Sequence, residues 1–161
     1  MFEALMKMGG YRVDYLNRQA AGSPQALGFY VRGQLTDDQP YSRDAKRRLY
    51  TGLAVVQNEL GPENLVSVYV DVNRPENLTR PAYVQLKEDL RSGLFRRVFT
   101  VDVNDLAGAP NAIEDLCKFY QEVGGFELLA FDDSGSPQSM KMFDLSCSQA
   151  PFAWSCLCLA A

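Results

Sequence analysis

The chain has 161 residues, of which 47% are hydrophobic and 22% charged, and it carries a formal net charge of -4. That length suits one ordinary domain with a core of its own, and the composition excludes the disordered and collagen-like classes. The acidic balance disfavours a stand-alone grip on a phosphate backbone. With no histidine anywhere, mechanisms that need an imidazole as base, metal ligand or pH switch are excluded as well.

The four cysteines, Cys117, Cys147, Cys156 and Cys158, form no C-x-x-C pair, so neither a disulfide framework nor a zinc site is expected. No charged leader with an apolar segment opens the chain and no apolar run is long enough to span a bilayer; the expectation is a cytoplasmic protein without a membrane partner.

Residues 1–25 read as an N-terminal extension, with a short helix before Gly9-Gly10 and the breaker Ser23-Pro24 near its end. Ala26 to Gly33 has the aromatic and β-branched content of a buried strand and runs into a polar loop. From Ser42, Leu49, Leu53, Val56 and Leu60 recur at helical spacing until Gly61-Pro62. A second strand spans Leu65 to Val72, and Thr79-Arg80-Pro81 opens a helix whose inner face is Tyr83, Leu86 and Leu90 and whose stop is Ser92-Gly93. A third strand is predicted over Arg96 to Val103, a third helix over Ala112 to Glu122 and a fourth strand over Phe126 to Asp133. After a loop from Ser134 to Gln138 the chain begins like a helix, meets Pro151 and ends in an apolar tail.

Strands alternating with helices predict an α/β domain: three α/β/α layers on a mostly parallel sheet of four to five strands, over residues 26–145, with 146–161 as the tail. Phe152, Trp154, Leu157 and Leu159 of that tail pack on their own domain or on a second copy, so a homodimer is one expected arrangement.

In such a sheet, functional groups collect at the carboxyl ends of the strands. That rim carries Arg32, Asp37, Asp38, Gln39, Asp71, Arg74, Arg80, Asp102, Asn104 and Asp105. As bare chemistry, Arg32 and Arg80 suit a phosphate or other anion, and Asp71 and Asp102 suit a hard cation. The competing reading is that these groups pair with one another and cap the next helices, and it is favoured for isolated residues. No glycine-rich phosphate loop accompanies them, so no cofactor is indicated.

The order of the pieces is more specific than any one of them. Tyr30-Val31-Arg32 with Thr36-Asp37-Asp38-Gln39, the strand end at Asp71, and Thr79-Arg80-Pro81-Ala82-Tyr83 followed by Leu86, Leu90 and Gly93 resemble the catalytic domain of serine recombinases of the resolvase/invertase type, over roughly 27–142. The resemblance implies a resolvase-like fold. It also implies a chemistry in which a serine two positions after the first arginine attacks a DNA phosphodiester while arginines stabilise the transition state. Arg32, Gln39, Asp71 and Arg80 match positions of that pattern.

The nucleophile position holds Gln34, or Leu35 if one extra residue falls earlier, and neither has a hydroxyl or thiol. The family's D-R-L-x-R motif falls on Asn104-Asp105-Leu106-Ala107-Gly108, with an acid and a glycine in place of its arginines. The long helix and DNA-binding region that family members continue into have no counterpart before residue 161, and the basic run Arg43, Lys46, Arg47 and Arg48 reads as a solvated helix face. The expectation is a catalytically inactive recombinase-like domain acting as a binding or assembly module, with DNA a partner by resemblance only. The alternatives are an active domain using Thr36 and a small anion- or nucleotide-binding module on the Arg32, Asp71 and Arg80 rim.

Overall fold

The computed structural model describes residues 10–34, 43–131 and 137–140. Its sheet contains β1 (Tyr11–Tyr15), β2 (Leu27–Gly33), β3 (Leu65–Val72), β4 (Arg97–Phe99), β5 (Glu127–Phe131) and β6 (Pro137–Met140), in the spatial order β1-β3-β2-β4-β5-β6. The inner pairs β3–β2, β2–β4 and β4–β5 are parallel, whereas β1 and β6 join as antiparallel edges. The helices described are α1 (Arg43–Val55), α2 (Pro81–Arg91), the single turn α3 (Asn104–Ala107) and α4 (Pro110–Glu122).

The parallel α/β architecture follows the sequence expectation, and the sheet exceeds the expected four to five strands at both edges. Tyr11–Tyr15 lies in the segment read as an extension, yet it pairs along β3 from Tyr11 opposite Asp71 to Tyr15 opposite Ser67. Tyr11, Val13 and Tyr15 alternate with Arg12 and Asp14, but the strand has only 5 residues and of these only Val13 packs on the main core, so the signal is short and weakly apolar. At the other edge Pro137–Met140 is a strand against β5, where a loop running into a helix was expected. Pro137 is tolerated because it opens an edge strand, where its missing N–H breaks no ladder.

Two apolar layers sandwich the sheet. Tyr30, Tyr69, Val98 and Leu128 meet α2 and α4 through Tyr83, Leu86, Ile113 and Leu116, whereas Phe29, Val31, Val68, Val70 and Phe99 meet α1 through Ala45, Leu49 and Leu53. The period-two alternation of the strands produces this division. One irregularity interrupts it: Leu27 pairs with Leu65 but Gly28 with Ser67, so Val66 is the extra residue of a bulge. Close approach of α1 needs Gly52, where an added Cβ would lie 2.0 Å from Phe29 Cζ.

α1 continues into a π-helical turn over Val56–Leu60 and stops at Gly61, whose φ of 88° explains the glycine. Pro81 stands at the first position of α2, as its sequence predicted, and Pro110 does the same for α4, two residues before the expected start. β4 is shorter than the predicted Arg96 to Val103. After Phe99 the ladder continues only through the Thr100 N–H to the Leu129 carbonyl at 2.9 Å, and the Thr100 hydroxyl then donates to the Asp102 carbonyl at 3.1 Å, turning the chain into α3. β5 is described from Glu127 to Phe131, and the predicted end at Asp133 lies outside the described residues.

Connectivity places the crevice. β2 leads through α1 on one face to β3, whereas β4 leads through α4 on the opposite face to β5. The strand order therefore reverses between β2 and β4, and the cleft at their carboxyl ends is where open α/β sheets receive ligands.

Candidate functional site

Four of the sequence-predicted rim residues, Arg32, Asp71, Arg80 and Asp105, lie in a buried cluster at this end of the sheet. Asp71, at the end of β3, is fully buried. Its two oxygens accept the Ala82 and Tyr83 N–H groups, each at 2.9 Å, and the Tyr30 hydroxyl donates to Oδ2 at 2.7 Å. The carboxylate thus caps α2, meeting the free N–H groups of its first turn. Burial raises the Asp71 pKa, and these hydrogen bonds oppose the rise. With both oxygens so engaged, Asp71 serves the helix rather than a cation.

Arg80 precedes Pro81 and has no exposed surface. Its Nη1 donates to the carbonyls of Pro75 and Asn77 at 2.8 and 3.0 Å, its Nε donates to the Tyr30 hydroxyl at 3.0 Å, and its guanidinium lies 4.4 Å from the centre of the Tyr83 ring. The Asp71 carboxylate stands 4.0 Å from Nε. Arg80 is a strut tying the 73–80 loop to the core, with Nη1 and Nε turned inward onto carbonyls and the Tyr30 hydroxyl.

Arg32, at the end of β2, is 3% exposed and reaches the carbonyls of Asn73 and Asn104, both at 3.2 Å. Burial lowers its pKa, and the Asp105 carboxylate opposes that fall. Asp105, on α3, is wholly buried and accepts from Arg48 of α1. Arg48 also donates to the Arg32 carbonyl at 3.1 Å and pairs with Asp44 at 3.3 Å. Burial pushes the Asp105 carboxyl up to about 7, while Arg48 and Arg32 pull it back.

Arg48 is therefore a site residue that the sequence hid. Read as part of a solvated basic face, it points inward beside Ala45, Leu49 and Gly52, and its side chain is 19% exposed against 77% for Arg47. The available signal was its position next to Leu49, on the stripe that packs against the sheet. Three buried side-chain atoms that lack a hydrogen-bond partner among the described residues, Arg32 Nε, Arg80 Nη2 and Asp105 Oδ2, all belong to this cluster.

Gly108 closes the arrangement. A Cβ there would lie 2.6 Å from the Asn104 carbonyl oxygen, 3.0 Å from Pro75 Cβ and 3.2 Å from Arg32 Nη2. This backbone has no room for a side chain where the recombinase motif would place its second arginine. Asn104 contributes its carbonyl to Arg32, and its own N–H donates to Asp102 Oδ1 at 2.9 Å. Gln34 follows β2 as an exposed residue. Leu35, Thr36 and Gln39 lie outside the described residues.

The fold and cluster define an α/β domain whose strand-end arginines are partnered by its own carboxylates and carbonyls. No protein-family model matches the chain, and a search of curated proteins finds no match. Among solved structures the chain is similar to the N-terminal catalytic domain of TP901-1 integrase, with 12% sequence identity, a TM-score of 0.49, and an alignment covering 84% of this chain and 92% of that one. Among the described residues, no helix is long and apolar enough to cross a membrane.

Proposed function

We propose that this chain is a recombinase-derived domain that does not cut DNA and serves as a binding or assembly module. The observation that carries the reading is Asp105. Where the resembling motif has a cation aimed at the reacting phosphate, this chain buries a carboxylate against Arg48 and beside Arg32. A phosphodiester brought to this cleft would meet a buried acid in place of a cation, among arginines held by this chain's own carbonyls and carboxylates. Losing one preorganised donor to a developing anion costs roughly 3 kcal/mol of transition-state stabilisation, and here two are replaced.

The neighbouring positions agree. Gln34 offers a carboxamide that cannot attack phosphorus. Arg80 is retained in sequence but is sealed inside, held by the Pro75 and Asn77 carbonyls. The assembly side of the reading rests on the apolar residues Phe152, Trp154, Leu157 and Leu159, which favour a homodimer.

The test is incubation with supercoiled plasmid, denaturation and a search for protein covalently attached to DNA. No adduct and no nicking are expected, in either the wild-type chain or Thr36→Ala. A covalent band that disappears in Thr36→Ala would overturn the reading in favour of an active recombinase with a threonine nucleophile. Sedimentation of the protein alone is expected to show a dimer that DNA does not perturb at physiological salt.

A further inference from the structure

A second feature of the switch-point crevice lies outside the buried cluster. Between α1 and the carboxyl ends of β4 and β5 is a pocket of about 470 Å³, lined by Arg47, Arg48 and Thr51 of α1, the turn Val101 to Val103, and Phe131 at the end of β5. That volume lies in the range of small-molecule sites. We propose that this pocket binds a small phosphorylated ligand with a sugar and aromatic body, of the nucleoside monophosphate class.

Each wall supplies one part of that chemistry. Arg47 is the accessible cation: its side chain is 77% exposed, and its contact with Asp44, through Nη2 at 2.7 Å, is of the surface kind that contributes little and yields to a better partner. The guanidinium can thus turn to a phosphate without dismantling the core. Arg48 borders the same space but is committed to Asp105 and Asp44, so it offers no free fork. Val101, Val103 and Phe131 give a largely apolar wall with an aromatic edge, suited to a planar base.

Asp102 decides against a bare inorganic anion. It lines the pocket, and its Oδ1 accepts the Asn104 N–H at 2.9 Å, so the wall carries a carboxylate acceptor. An acceptor beside a cation fits a ligand that brings hydroxyl donors along with its phosphate, as a ribose diol does, and repels free phosphate. The proposal does not depend on whether the chain cuts DNA, because Arg47, Asp102 and Phe131 lie outside the set matched to the recombinase pattern.

The experiment is calorimetric titration of the full chain with AMP, ribose 5-phosphate and inorganic phosphate at low salt. AMP is expected to bind saturably at one site, ribose 5-phosphate more weakly and phosphate least. Arg47→Ala, a surface change that leaves the fold intact, is expected to weaken AMP about tenfold, the usual consequence of losing one charge-assisted hydrogen bond. Phe131→Leu is expected to weaken AMP while leaving ribose 5-phosphate unchanged, which separates stacking from any general loss of structure. AMP binding no tighter than inorganic phosphate, or with equal affinity to the wild-type chain and Arg47→Ala, would overturn the proposal.

Discussion

Arg80 shows how the environment of a residue changes what its identity means. In sequence it is the arginine before a proline at a strand-end rim, a natural anion donor. In the fold it has no solvent contact and donates through Nη1 and Nε to Pro75, Asn77 and Tyr30. Replacing it should therefore destabilise the whole domain. Arg80→Ala leaves the Asp71 carboxylate without its countercharge and two carbonyls without donors, a loss of about 3 to 5 kcal/mol on the scale for breaking a buried pair. Arg80→Lys should recover only part of that, because an ammonium cannot span Tyr30 and the Pro75 carbonyl with one planar fork. Urea denaturation checks both, and midpoints unchanged from the wild-type chain would show that Arg80 is not the strut described here. The candidate site was legible in the sequence as a list of charges at one rim. Their pairing was not, because Arg48 and Asp105 are far apart in the chain and only the docking of α1 against β2 brings them together.

At the scale of elements, strands buried on both faces were readable from sequence and edge strands were not. Leu65–Val72 is apolar enough to declare itself, whereas Tyr11–Tyr15 alternates charged and aromatic residues and gains its place from a polar network. Tyr15 donates to Asp89 Oδ2 at 2.7 Å, Tyr69 donates to the same oxygen at 2.5 Å, and Gln85 donates to Oδ1 at 2.9 Å, so β1, β3 and α2 share one carboxylate. Burial and the neighbouring Asp89 push the Tyr15 hydroxyl up to about 12. Tyr15→Phe removes one donor but leaves Asp89 held by Tyr69 and Gln85, so the global cost should be about 1 kcal/mol. The larger effect is local: amide exchange over Tyr11–Tyr15 should quicken more than exchange in β2 or β3. Equal changes in all three strands would show that β1 is not anchored through Asp89. A contact made by one hydroxyl on a carboxylate 74 positions away leaves no periodic trace in the sequence, which is why the strand was read as an extension.

At the scale of the whole molecule, the absence of histidine makes pH a clean probe of the buried cluster. No imidazole titrates between pH 5 and 8, and the raised tyrosines lose their protons far above it. Asp105, pushed up to about 7 chiefly by burial, is the group whose shift falls inside the window. Its folded pKa lies above the ordinary carboxylate value, so between about pH 4 and 7 the folded chain holds a proton that the unfolded chain has released. Unfolding releases that proton, and stability must fall as pH rises through the window, by up to about 1.4 kcal/mol per pH unit for one fully linked proton. Burial raises Asp71 in the same direction. Asp105→Asn keeps a carbonyl oxygen for Arg48 and removes the titration, so its stability should change less across pH 5 to 7.5 and should match or exceed the wild-type chain at the upper end. Unfolding free energies from urea titrations at half-unit pH steps measure both curves. Parallel slopes would mean that Arg48 and Arg32 keep Asp105 ionised throughout; a slope lost in the variant would identify the carboxyl between those arginines as the source of the domain's pH sensitivity.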